Sequence, residues 1–429
     1  MQINLRVWQQ KGSIMNRKKL MITILSIFLL ILSGCTEKNN SEANKESTQT
    51  LGSNWGDIVA KAKGTKVNFF MWGGDEGINR YIDEWVAPKL KKQYDIELKR
   101  YPMDAREFIN KLMAEKKAGK KSGQMDVLWV NGENFKTAKE NELLLGPFTS
   151  KLPNFNQYVD VKSSDIANDF GYPTEGYEAP WGKVQFVFAY DSSKMANPPK
   201  SIEELKEWVK QHPGKFTYPA PPDFTGSAFV RQVLHETSKN YDAYLNPYDE
   251  SLIKGEANQI WNVLNEMEPN LWNKGKSYPQ SLAQLEQLYK NGEVWMTMGY
   301  DEANASNLIK SGEFPDTTKT FVLDKGTLSN THFLAVPYNA PNSNGAMVLI
   351  NFLLSPSAQL KKMDLEYWGE NMSLDVERLS LKDQAKMNAI DRGPATLSQD
   401  TLSKHRVPEI GAEYVQWLER GWIDNVANH

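Results

Sequence analysis

The chain has 429 residues, of which 24% are charged and 40% hydrophobic, with a formal net charge of −3. That balance argues against nucleic acid or an anionic lipid surface as a partner, because both need a concentrated basic face. A single cysteine and five scattered histidines leave no disulfide framework and no HExxH or paired metal-ligand spacing, and neither a G-x-S-x-G elbow nor a Walker loop is present.

Arg17, Lys18 and Lys19 precede an almost wholly apolar run, Leu20 to Leu32, which closes in Leu32-Ser33-Gly34-Cys35. The run is shorter than the ~20 residues of a bilayer span and fits the ~7–15-residue core of a secretory signal. Cys35 stands directly after the expected cleavage point, where a diacylglyceryl thioether is built. Residues 1–34 therefore read as a lipoprotein signal peptide, with Met15 as the expected start and Met1 to Ile14 as an unpatterned extension. Cleavage removes Arg6, Lys11, Arg17, Lys18 and Lys19 and no acidic residue, moving the formal charge from −3 to −8. The mature chain is expected to be exported and held at the outer face of the cell membrane by lipid on Cys35. Residues 35–53 are polar and nearly free of apolar side chains, so they read as a flexible lipid-proximal linker.

From Trp55 onward strands and helices alternate. Val67 to Trp72 is a short apolar run broken by Gly73-Gly74, a buried strand entering a turn. Ile78, Ile82, Trp85 and Val86 then form one helical face. Ile96 to Tyr101 predicts a second strand, Asp104 to Lys120 an amphipathic helix, and Met125 to Val130 a third strand ending in Asn131-Gly132. This order implies crossovers and a mainly parallel sheet. The second half repeats the logic: a strand over Lys183 to Tyr190, a Ser201/Glu204 capping box opening a helix to Gln211, and a strand over Phe216 to Tyr218 before the Pro219–Pro222 break. Ser281 with Gln284 caps a helix stopped by Gly292, and strands follow over Val294 to Tyr300 and His332 to Pro337.

In open α/β sheets ligands bind beyond the carboxyl ends of the strands. Four segments fall there: Trp72-Gly73-Gly74-Asp75, Asn131-Gly132-Glu133-Asn134, Pro222-Asp223-Phe224-Thr225-Gly226 and Tyr300-Asp301-Glu302. Trp72 beside Asp75 and Glu133 suits an organic cation by stacking and charge compensation. The alternative for each is plain structure, since acidic residues cap helix N-termini and an indole packs a core. Trp181-Gly182 lies where the chain leaves its first half, so Trp181 is a candidate cleft wall and Gly182 a hinge or a point of close backbone approach. Gly326 to Asn330 is the return crossing.

Several of these segments resemble the ABC-transporter extracellular solute-binding lipoproteins, and within them the YnjB-like subgroup. The resemblance rests on Trp72-Gly73-Gly74-Asp75-Glu76 with Ile78-Asn79, Trp129 to Phe135, Gly146-Pro147-Phe148, Pro180-Trp181-Gly182 with Gln185, Phe216 to Phe224, Asp324 to Thr327 with Asn330, His332-Phe333, and the helix Ala346 to Gln359. It spans the globular part from Trp55 to Trp422. It implies a type II periplasmic-binding-protein fold, α/β, with two lobes joined by crossing strands around an interlobe cleft. Lobe I is expected over 54–181 and 326–365, and lobe II over 182–325 and 366–429. The partners it implies are a small-molecule solute, membrane permease subunits and, through them, an ATPase. Thiamine-like or other small organic solutes are suggested for the subgroup. Where relatives often carry Phe-Asn-Pro after a lobe II strand, this chain has Tyr300-Asp301-Glu302, which adds two carboxylates.

The reading is therefore a lipid-anchored, monomeric solute receptor that is not an enzyme and needs no cofactor or metal. Its ligand residues are expected to be Trp72, Gly73, Gly74, Asp75, Asn131, Glu133, Asn134, Trp181 and Gln185 on one wall, with Phe224, Tyr300 and Asn330 on the other. Cationic and anionic ligands both stay open, since helix N-termini favour anions and these carboxylates oppose them; a cationic or zwitterionic aromatic solute is the first expectation, with a carbohydrate or oligopeptide next. Two rivals are an extracytoplasmic hydrolase using Asp75 and Glu133 as a carboxylate pair, and a surface adhesin, which would present a flat apolar patch.

Overall fold

Val67, Phe69, Phe70 and Met71 are buried within the strand Lys66–Met71 (β1), as a central strand covered on both faces requires. The structure, a computed structural model, describes residues 51–427. The signal peptide, Met15, Cys35 with its lipid, and the linker up to residue 50 lie outside the described residues. β1 pairs in parallel with Glu97–Pro102 (β2) and Val127–Val130 (β3). One face of this sheet packs Val67, Phe69 and Met71 against Ile82, Leu334, Leu349 and Ile350. The other packs Phe70 and Leu128 against Phe108, Leu112 and Phe135. Asn168–Asp169 (β4) and Tyr172–Pro173 (β5) form a short antiparallel ribbon beyond it.

Glu178–Gln185 (β6) leads almost directly into Val187–Asp191 (β7). β6 belongs to the first sheet, while β7 is the middle strand of a second, between Met296–Gly299 (β8) and Thr318–Phe321 (β9). The chain returns along Thr327–Ala335 (β10), which runs antiparallel to β6 from Ser329 opposite Gln185 to Ala335 opposite Glu178. β10 also pairs with β3 at its far end and with Arg406–Pro408 (β11) at its near end. Two long strands thus carry the chain between two α/β lobes. The lobe II core gathers Phe186, Phe188, Val209, Phe229, Leu264, Met296, Tyr414 and Trp422.

Three features differ from the sequence reading. The second sheet is not parallel: β7 pairs antiparallel with both β8 and β9, because it enters lobe II as the continuation of a crossing strand. Phe216 to Tyr218 is buried but forms no strand. Its backbone is held by bonds from Trp272 N to the Phe216 carbonyl and from Trp295 N to the Lys215 carbonyl, each 2.8–2.9 Å, and the proline run ends any ladder. The last segment joins lobe II later than residue 366. Trp368, Met372, Leu374 and Leu379 pack in the lobe I core, and Ala395 is the first residue of that stretch in the lobe II core.

Candidate functional site

Of the four expected segments, two follow strands of lobe I and two lie in lobe II. After β1 the chain turns through Gly73-Gly74, where the Trp72 indole folds over Gly74 so closely that no β-carbon fits. Asn79 fixes this loop by donating from Nδ2 to the Gly73 carbonyl at 3.0 Å. Asp75 caps the following helix by accepting from Ile78 N at 2.8 Å, the structural role open to any acidic residue there. Trp72 nevertheless stays 47% exposed. Its ring stands edge-on to Trp129 at 6.4 Å. Trp129 in turn meets His332 at 4.7 Å, Trp181 at 5.2 Å and Trp368 at 5.5 Å. An aromatic series therefore runs from solvent at Trp72 into the core.

After β3, Asn131 does not cap its helix. It donates from Nδ2 to the Thr331 carbonyl of β10 at 2.6 Å, and the Asp169 carboxylate accepts from Gly132 N instead, at 2.5 Å. Glu133 is paired with Arg106 at 3.3 Å and accepts from Gln416 Nε2 of lobe II at 3.0 Å. Nearby, Lys136 forms an ion pair with Glu413. Asn134 is half-buried in the first helical turn. The carboxylate pair that a hydrolase reading needs is thus already engaged, Asp75 as a cap and Glu133 in contacts that join the lobes.

In lobe II, Asp223 accepts from Thr225 N and Gly226 N at 3.0 Å and starts the helix Phe224–Thr237. Gly226 abuts the Pro219 carbonyl and has no room for a side chain. Phe224, the first residue of that helix, is 51% exposed and leans on Tyr300 at 5.1 Å. Tyr300 is itself buried, its hydroxyl shared between Glu409 and Arg231.

Behind these walls lies a buried set of charges. Glu370 receives Lys362 Nζ at 2.6 Å, and His332 Nδ1 lies 2.5 Å from its other carboxylate oxygen without forming a hydrogen bond. Gly182 lies against that carboxylate, so its missing side chain serves a close approach to Glu370. Glu302 accepts from Gln185 N at 3.3 Å and has Arg392 at 3.8 Å. Burial pushes the Asp301 carboxyl well above its ordinary range, with Glu302, Asp75 and Glu370 adding to the shift. Burial likewise raises Glu286 to about 7, Glu313 and Asp75 contributing. Glu286, Thr297, Asp301 and Asn304 line one small cavity of about 20 Å³. A larger cavity of about 520 Å³ lies in lobe I among Lys66, Asn68, Ser122 and Asn342, at the opposite end of β1 from Trp72.

Glu286 makes a pH test available. Its folded pKa of about 7 lies above the ordinary 4.5, so the stability its protonated form supplies is complete below about pH 4.5 and lost as pH rises through 7. Glu286→Gln keeps an acceptor for Asn304 Nδ2 and is expected to raise Tm at pH 8 by several degrees, with no gain at pH 4.5. Calorimetry at the two pH values checks this.

Besides Tyr300, three expected wall residues are buried. Trp181 is 0% exposed, packed against Phe69, Trp129 and Trp368. Gln185 is fully buried and donates to the His405 carbonyl at 2.9 Å and Thr327 Oγ1 at 3.2 Å. Asn330 is buried on β10. The sequence reading did not select Trp129, Glu286, His332, Trp368 or Glu370, and it placed Asp301 and Glu302 in a candidate segment without naming them as ligand residues. Asp301-Glu302 carried a signal, two carboxylates directly after a strand. Glu370 carried none, because it lies in an irregular segment.

Comparison with known proteins agrees with this architecture. Residues 85–374 match the family described as bacterial extracellular solute-binding protein. Protein YnjB of Escherichia coli strain K12 is 37% identical over 385 residues, covering 89% of this chain and 96% of that protein. An ABC transporter protein of Clostridium perfringens superposes with a TM-score of 0.58 at 18% identity, covering 84% of this chain and 98% of the other. The spermidine/putrescine substrate-binding protein PotD of Streptococcus pneumoniae does so with a TM-score of 0.59 at 14% identity, covering 84% and 98%. At these identities the two structural likenesses speak for the fold.

Proposed function

Because this chain belongs to the bacterial extracellular solute-binding protein family, we propose that it captures a small organic solute between its lobes and delivers it, chemically unaltered, to an ABC importer. The observation that carries this reading is the pair Trp72 and Phe224. They are large apolar side chains about half exposed, one on each lobe, Trp72 in the loop after β1 and Phe224 in the first turn of a helix, positions near which ligands of α/β folds collect. A solute sandwiched by lobe closure would cover both rings and remove that apolar surface from water. Contacts made only when both walls are engaged shift the open/closed equilibrium, and a permease that recognises the closed form then accepts the loaded receptor. Lipid on Cys35 would keep that receptor beside its permease, with residues 35–53 as the tether.

Trp72→Ala is expected to weaken solute binding about 10- to 30-fold, the equivalent of roughly 1.4–2 kcal/mol of lost stacking. Because Trp72 is half exposed, its Tm should move little. Isothermal titration of the co-purified solute against refolded wild type and variant measures the first quantity, and calorimetry the second. Unchanged affinity would remove Trp72 from the site. Phe224→Ala tests the facing wall in the same way.

A further inference from the structure

The cavity of about 520 Å³ in lobe I lies at the end of β1 opposite Trp72, away from the proposed solute site. Phe70 and Tyr101, stacked at 4.8 Å, form part of its lining, with Asn68, Ser122, Gln124 and Asn342 around them. No acidic side chain lines it. Asp126 lies behind Asn68 and Asn342, its carboxylate turned to their backbone N–H groups at 2.8 and 2.7 Å. Three lysines surround the groove. Lys66 lines it, Lys99 Nζ stands 4.9 Å from the Tyr101 ring centre, and Lys111 Nζ stands 5.8 Å from that of Phe70. Lys111 also donates to Gln124 Oε1 at 3.1 Å. None of the three forms an ion pair among the described residues, whereas Lys116 and Lys120 are matched by Glu142 and Glu115. Glu97, opposite Lys66 in register across β1 and β2, is exposed and makes no ion pair. Ser122 is only 9% exposed and its Oγ has no partner, and neither has Asn68 Oδ1. The first described residues reach the same end of lobe I: Gly52 N donates to Asn344 Oδ1 at 2.8 Å, two residues beyond Asn342.

We propose that this groove docks the phosphate headgroup of an anionic membrane lipid, holding this end of lobe I against the bilayer that carries the tether. The inference rests on the lipid-tether reading given above. A flexible chain such as residues 35–50 spans roughly 20–25 Å on average, so an anchor on Cys35 would keep headgroups within reach and a weak site would stay occupied. The net negative charge of the whole chain argues against adsorption to an anionic surface, but a groove needs only its own unpaired cations. Each lysine close to such a surface strengthens binding about fivefold. The lysines meet a phosphodiester as point charges. Ser122 Oγ supplies a donor for a phosphate oxygen, and Asn68 Oδ1 an acceptor for a headgroup hydroxyl such as those of phosphatidylglycerol.

The test uses the lipidated protein as cells make it, reconstituted in vesicles of phosphatidylcholine alone or with about 30% phosphatidylglycerol. Acylation of lysines by an amine reagent, mapped by mass spectrometry, reads the contact. In the anionic vesicles Lys66, Lys99 and Lys111 should react about fivefold more slowly, while exposed Lys239, Lys276 and Lys319 of lobe II keep their rates. High sodium chloride should abolish the difference. Equal rates in the two kinds of vesicle overturn the inference. So does equal slowing of the lobe II lysines, which marks unspecific adsorption. Glycerol 3-phosphate added to the protein in phosphatidylcholine vesicles separates lipid from free ligand. Slowing by that compound, with none by phosphatidylglycerol, assigns the groove to a soluble phosphate and also overturns the proposal. Failure of the tether reading is separate, and shows as cell-made protein whose intact mass carries no lipid on Cys35.

Discussion

Arg231→Met should lower the unfolding free energy by about 3–5 kcal/mol, the usual cost of stripping one partner from a buried ion pair. The guanidinium is almost wholly enclosed and binds Glu409 through Nε at 2.9 Å and Nη2 at 3.0 Å. It also donates to Ser227 Oγ at 2.7 Å and to the Tyr300 hydroxyl at 3.3 Å. Methionine fills much of the same volume, so the loss comes from the Glu409 carboxylate left buried without a counter-charge, not from a cavity. Adding Glu409→Gln should therefore restore most of the loss, a non-additivity that urea denaturation of the single and double variants measures. The same network sets the lobe II wall, because Tyr300 supports Phe224. The single variant should weaken solute binding even under conditions where it remains folded.

Trp181→Ala should cost about 3–5 kcal/mol of stability, the range for truncating a buried large aromatic. Its indole is packed between Phe69, Trp129 and Trp368 at ring separations of 5.8, 5.2 and 4.9 Å. Its carbonyl also receives Lys362 Nζ at 2.6 Å and Gln359 Nε2 at 2.9 Å. The contrast with Trp72→Ala separates core from wall. Trp181→Ala should lower Tm strongly while the folded fraction keeps solute affinity within a few-fold, and Trp72→Ala should do the reverse. A Trp181→Ala protein of unchanged Tm would contradict this placement.

Local signals were legible in the sequence where a residue's role depends on its neighbours along the chain. The apolar run at β1, the glycines after it, and Ser201 and Ser281 as caps all read directly, and Ser201 Oγ accepts from Glu204 N at 3.1 Å. The two-lobe fold followed from strand–helix alternation together with the resemblance of whole segments. What stayed hidden depends on partners far away in the chain. Trp181 beside Gly182 looks like an exposed aromatic at a hinge, yet the glycine is there to admit Glu370, and the indole is closed in by Trp368 from the same distant segment. Nothing around Phe216 distinguishes a strand from a buried extended stretch, because a ladder needs a neighbour and the proline run withholds one. The charge balance of the cleft was partly readable at Asp301-Glu302. Which carboxylates are neutralised was not, since Lys362 and Arg392 arrive from elements remote in sequence.

Native mass spectrometry of the protein purified without denaturation addresses the central claim most directly. The account expects a single non-covalent adduct of small-molecule mass. It should be released with that mass unchanged after incubation and be sharply depleted in a Trp72→Ala/Phe224→Ala double variant. An adduct retained in full by the double variant, or a compound that leaves with an altered mass, would contradict it.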